Sequence, residues 1–207
     1  ETMSFDFDDP VWDAVANYPI PATDTNRAPR IPGDSDVHFR IACDANFLYV
    51  RFRAQDDVLQ FENQRPYFND AFEFYFYAPG NIEQDRAQLQ HQQCTITLDP
   101  RTGQAIPLKF GDSKIRLVTG GWEALLQIPW HNDVWRVTPF DTEHFTFNAT
   151  YHDADSLPQE HWLSFSSKDP RSYSWKNRQL LVPLVLRSDQ PLPYHKMWLG
   201  LEAHYHV

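Results

Sequence analysis

Residues 66–77 read PYFNDAFEFYFY, in which seven of twelve side chains are aromatic and one carboxylate, Glu73, sits among them. An ionised acid buried in apolar surroundings is strongly unfavourable unless it is paired, so the position of Glu73 is the first question the chain raises. In a strand, successive side chains point to opposite faces. That rule sends Asp70, Phe72, Phe74 and Phe76 one way, and Ala71, Glu73, Tyr75 and Tyr77 the other. The phenylalanines then form core, and Glu73 shares the opposite face with two tyrosines. The same alternation puts Arg51 and Arg53 with Tyr49, Thr95 with Thr97, and Asn148 with Thr150 on non-core faces.

If these strands are neighbours, one sheet face brings together an acid, guanidinium groups, hydroxyls, an amide and rings. That mixture suits a sugar: pyranose C–H faces lie against aromatic planes, and their hydroxyls take acids, amides and guanidinium groups as partners. A plain polar sheet face, with Tyr at its ordinary strand propensity, has the same pattern.

Other groups bear on chemistry less directly. Asp6, Asp8 and Asp9 near the start, and Asp153 and Asp155 in HDAD, are hard-oxygen candidates for calcium, although acidic loops are common in an acidic chain. A hydrolase needs facing carboxylates or a nucleophile with its base. Asp70 and Glu73, three apart on a strand, point to opposite faces and cannot be such a pair. None of the nine histidines forms an HExxH-type pair. The reading is therefore a non-enzyme.

The elements that must position these groups are strands. Alternation recurs at 37–42, 47–54, 94–98, 114–119, 122–129, 144–153 and 180–186, with turn signals at DPRTG (99–103), FGD (110–112), TGG (119–121) and DPR (169–171). This predicts an all-β fold, an antiparallel β-sandwich of jelly-roll or immunoglobulin-like layers. A short helix or long loop is expected near 81–93. Without repeats or a linker, residues 1–207 read as one domain, with the tail 188–207 packed along it. Sixteen prolines leave little room for helices, and 42% hydrophobic residues suffice for a core.

The net charge of −10 argues against nucleic acid or an anionic membrane as partner. No apolar stretch approaches the ~18 residues of a membrane span. The opening ETMSFDFDDP carries no basic or apolar leader pattern, which fits either a cytoplasmic chain or one whose signal peptide precedes the numbering. Cys43 and Cys94 fall on alternating apolar positions, as two buried thiols or one disulfide. Trp175 differs from the other tryptophans in its polar setting, DPRSYSWKNRQ, where a ring is either a lid over the core or an exposed platform.

In their order, several blocks resemble the family 9 carbohydrate-binding modules, β-sandwiches related to DOMON domains. They are FDFDDPVWDAV (5–15), CDANFLYVRFRAQDDVL (43–59), RPYFNDAFEFYFY (65–77), WEALLQIPW (122–130), HFTFNATYHDAD (144–155) and LSFSSKDPRSYSWKNRQLLVPLVL (163–186). The resemblance implies non-catalytic binding of a mono-, oligo- or polysaccharide, with one ring clamped between Tyr67 (in the place of a Trp) and Trp175. Glu73 would hold its hydroxyls, with Tyr75, Thr95, Asn148, Thr150 and Ser172 around them. The family's Arg position holds Thr95 here, with Arg51 or Arg53 as substitutes from another strand. Ser172 stands for an amide, Thr150 for a Gln, and Leu181-Val182 for Phe-Gly. The resemblance further implies no required cofactor, structural calcium as an option, extracellular or periplasmic placement, and a glycan-degrading enzyme as partner. Alternatives are a DOMON-type haem-binding electron-transfer domain, using Met197, and a sandwich used for protein interaction.

Overall fold

The computed structural model describes residues 3–21, 35–77, 92–131, 145–155, 161–168, 178–187 and 198–200. Among them, one four-residue helix, α1 (Val11–Ala14), precedes eleven strands. These are β1 (Tyr18–Pro19), β2 (Ser35–Cys43), β3 (Phe47–Asp56), β4 (Ala71–Tyr77), β5 (Gln92–Ile96), β6 (Asp112–Val118), β7 (Gly121–Pro129), β8 (Phe145–Asp153), β9 (His161–Ser164), β10 (Val182–Arg187) and β11 (Trp198–Gly200). They form two antiparallel sheets. One runs β1-β2-β3-β7-β6; the other runs β11-β10-β8-β4-β5, with β9 also paired to β8. The expected antiparallel β-sandwich is the observed architecture.

The inward residues of each strand form the core. Phe52 of β3 stacks on Phe72 of β4 with ring centroids 4.5 Å apart, and Trp122 of β7 lies 4.4 Å from Phe72. Phe74, Phe76, Phe145, Phe147 and Trp130 continue this aromatic layer, all fully buried. Such ring pairs add about 0.5–1.5 kcal/mol each beyond the area they bury. Cys43 and Cys94 are both free and buried. Burial pushes the Cys43 thiol up to about 12, so it packs as a small apolar group.

One local expectation changes. Gln92 and Gln93, placed in the helix or loop near 81–93, are strand residues of β5; the remainder, 81–91, lies outside the described residues. Tyr49 lies on the non-core face with Arg51 and Arg53, as expected, but that face is covered there, and Tyr49 is fully buried beneath the N-terminal segment with Phe7, Trp12 and Leu125. Its hydroxyl donates to Asp44 Oδ2 at 3.0 Å. In the predicted tail, 198–200 pair with β10 as β11; its other residues lie outside the described part.

Candidate functional site

Glu73 stands on the outer face of the six-stranded sheet, where alternation puts it, yet it is only 1% exposed. The register sets Glu73 opposite Thr95 on one side and Thr150 on the other, with Tyr75 opposite Asn148 and Gln93. Four donors surround the carboxylate. Gln93 Nε2 and Thr95 Oγ1 each donate to Oε1 at 2.9 Å. The Tyr75 hydroxyl and His152 Nε2 take Oε2, the latter at 3.0 Å. A carboxylate has about four lone-pair sites, so Glu73 is fully coordinated by the protein itself.

His152 is the cation of this group. Its Nε2 meets the Glu73 carboxylate and its Nδ1 meets the backbone carbonyl of Tyr67 at 3.2 Å. Both partners are acceptors only, so both ring nitrogens carry hydrogen and the ring is an imidazolium. Burial alone would depress its pKa, but the Glu73 charge and hydrogen bond outweigh that and raise it. For Glu73, burial pushes upward, whereas the His152 charge and the donated hydrogen bonds pull it down to about 2.

Tyr67 lies in a one-turn 3-10 helix (Pro66–Phe68), initiated by a proline at its first position. Tyr67 is 41% exposed, and its ring meets Phe68 edge-on. It is thus a large ring presented to solvent, anchored from below through its own carbonyl by His152. Asn148 is fully buried: its Nδ2 donates to Ser164 Oγ at 3.0 Å and its Oδ1 accepts from Ser166 N at 2.8 Å. Asn148 therefore fastens the end of β9. Thr150 is buried next to Glu73, and its Oγ1 has no hydrogen-bond partner. Gln93 is exposed and Thr95 half-buried, so the edge strand β5 is where the group reaches the surface.

The expected gathering of Arg51 with Glu73 does not occur. Arg51 and Arg53 belong to β3, in the other sheet, and point away from the shared core. There Arg51 Nη2 binds Glu123 Oε1 at 3.1 Å. Alternation assigns a face within a strand but not the sheet to which the strand belongs. Trp175 and Ser172 lie outside the described residues, as does Met197. Two members of the group were not among the predicted residues: His152 and Gln93. His152 could have been found, because it falls on the Thr146, Asn148, Thr150 face of HFTFNATYHD.

The acids sort differently from expectation. Asp6 caps the amide of Asp8 at 3.0 Å, and Asp9 accepts the amides of Ser4 and Val11, both at 2.9 Å. Asp8 holds Arg116 with both oxygens at 3.0 Å. Asp153 and Asp155 instead converge with acids from elsewhere. Asp56, Asp70 and Asp153, all buried, place carboxylate oxygens within 4.8 Å of one another, and Asp56, Asp57 and Asp155 do the same. Burial, then the charge of Asp56, pushes the Asp70 carboxyl up to about 9, against the pull of the Gln60 and Ala154 amides.

A model of the carbohydrate family 9 binding domain-like family matches residues 6–188. A family 9 carbohydrate-binding module from Caldicellulosiruptor kristjanssonii, solved in complex with glucose, superposes with a TM-score of 0.65 at 20% identity, covering 93% of this chain and 95% of that one. The same source's module in complex with cellotriose gives 0.64 at 20% identity, covering 94% of each chain. Among curated proteins, endo-1,4-beta-xylanase A of Thermotoga maritima is 26% identical over 142 residues, 67% of this chain. The chain spans only 13% of that xylanase.

Proposed function

Because the chain belongs to the carbohydrate family 9 binding domain-like family, a family of binding modules, we propose that it binds a sugar ring non-catalytically where β4, β5 and the Tyr67 turn meet. The observation that carries this reading is the exposed Tyr67 ring tethered to the Glu73 group through His152. The ring offers its face to pyranose C–H groups. The donors on Glu73 Oε1 come from the exposed Gln93 and half-buried Thr95, so a hydroxyl arriving from the β5 edge replaces one of them without stripping the acid of its imidazolium. Thr150 Oγ1 offers a further polar contact deeper in. Tyr75 and Asn148 keep the frame rigid. Trp175, on the strength of the family pattern, closes the ring from the other side, with Ser172 beside it.

A saccharide chain fits this role, with an extracellular or periplasmic setting and a glycan-degrading enzyme as the associated activity. Single-domain organisation of residues 1–207 belongs to the same reading. Calcium suits Asp56, Asp70 and Asp153, with Asp155 in an adjoining group: hard oxygens converge, and a divalent cation would offset the burial and the Asp56 charge that together raise the Asp70 carboxyl. Its role would be to brace the β3, β4 and β8 ends behind the sugar site. Calorimetry with glucose, xylose and their oligomers, comparing the wild type with Tyr67→Ala and Trp175→Ala, tests the reading. Saturable binding that either variant weakens supports it; no heat with any sugar, calcium present, overturns it.

A further inference from the structure

The outer face of the five-stranded sheet carries a second constellation, on the side of the sandwich opposite Glu73. Arg40 of β2 pairs across strands with Arg51 of β3, and His38 with Arg53. Next to them Glu123 of β7, 1% exposed, accepts Arg51 at 3.1 Å and Arg116 at 2.6 Å, with Arg53 at 3.6 Å. Burial works against the Glu123 charge, but the hydrogen bonds from Arg116 and the charge of Arg51 hold its carboxyl below the usual range. Glu123 and Asp8 between them contact three of the four guanidinium groups gathered here, Arg51, Arg53 and Arg116, in a chain whose net charge is −10. Arg53 is half-exposed and Arg40 is held by the Trp12 carbonyl.

These side chains are not a flat ion-pair lattice. His38, Arg40, Arg51 and Arg53 line a groove of about 410 Å³ together with Asp13 and Asn17 from the N-terminal segment and Asp36 and Gln55 from the β2 and β3 ends. Asp36 is engaged by His38 Nε2 at 3.1 Å. The groove therefore sets guanidinium groups beside amides and carboxylates along one lining. Guanidinium forks match a carboxylate, and acids and amides accept and donate to hydroxyls.

We propose that this groove is a second binding site, which takes a hexuronate. Its carboxylate lies on Arg40 and Arg53, and its hydroxyls meet Asn17, Gln55 and Asp13. The sugar class rests on the carbohydrate-binding reading; the groove does not.

The test is calorimetry and amide chemical-shift mapping with D-glucuronate, D-glucose and acetate, on the wild type and on Arg53→Gln, a variant at a half-exposed position whose folding is checked by a denaturation curve. Glucuronate is expected to bind tighter than glucose and acetate and to shift amides of 36–40 and 51–55. Loss of a charge-assisted hydrogen bond predicts about tenfold or more weaker glucuronate binding in Arg53→Gln, with neutral-sugar binding unchanged. Equal affinity for glucuronate and glucose, equal affinity for acetate, or undiminished glucuronate binding in Arg53→Gln each overturns the proposal. Glucuronate binding without any neutral-sugar binding upholds the groove while removing the Tyr67 site.

Discussion

His152 Nε2 lies 3.0 Å from Glu73 Oε2 while its Nδ1 reaches the Tyr67 carbonyl at 3.2 Å. One imidazolium thus links the buried acid to the turn that presents the exposed ring. Replacing it separates two functions that the strand pattern alone does not connect. His152→Ala leaves Glu73 a buried charge without its cation, a change that typically costs about 3–5 kcal/mol. Urea unfolding should register that loss, and His152→Gln, which keeps one donor, should recover part of it. A stability within experimental error of wild type would remove the pair from the account.

The same pair sets a pH window. Glu73 is lowered from 4.5 to about 2 in the folded state, so its contribution is present above 4.5 and is lost as pH falls through about 2. His152 is raised from 6.5, so its contribution is present below 6.5 and is lost as pH rises through the raised value. The pair therefore stabilises most between about 4.5 and 6.5. Thermal unfolding across pH should show a decline above that window that His152→Gln lacks.

Tyr67→Ala should leave unfolding free energy within about 0.5 kcal/mol of wild type, because the ring is largely outside the core. Sugar affinity should fall by about 1 kcal/mol or more, the usual scale of an aromatic contact. Calorimetry alongside a denaturation curve reads both. Large destabilisation with unchanged affinity would assign the ring to packing.

Calcium at the Asp56, Asp70 and Asp153 group should raise the melting temperature, and chelation should lower it by several degrees, at about 2–4 °C per kcal/mol for a domain of this size. Without a cation, the raised Asp70 carboxyl stabilises fully below 3.8 and this contribution is lost as pH rises through about 9. The effect of chelation should therefore be larger at pH 8 than at pH 6. Asp70→Asn should abolish the calcium dependence.

The β6–β7 turn offers a sharper test of packing. At Gly121, φ is +155° and an added Cβ would stand 2.0 Å from the Ala54 carbonyl oxygen, whereas Gly120, at φ +72°, faces open space. Gly120→Ala should cost about 1–2 kcal/mol, the left-handed backbone term alone. Gly121→Ala adds a clash with the β3 backbone and should cost more, to the point of disrupting the β3–β7 register. Equal costs would mean that the turn relaxes freely.

Side-chain period is a local property, and the sequence by itself determined what depends on it. Phe72, Phe74 and Phe76 had to enter the core and Glu73 had to leave it, whatever the partner strands were. The strand pairings were beyond it, because hydrogen-bond partners are chosen by whole-sheet packing. Only the tertiary structure put β3 in the sheet opposite β4, which took Arg51 from Glu73 and gave it to Glu123. It likewise set Ala71 against His152 across β4 and β8, bringing an imidazolium diagonally to Glu73 where an arginine had been expected. It also gathered Asp56, Asp70 and Asp153 from three separate strand ends. Burial of Glu73 was undecidable from alternation, which tells the face but not what covers it. The fold made that burial tolerable by supplying four donors and one positive charge.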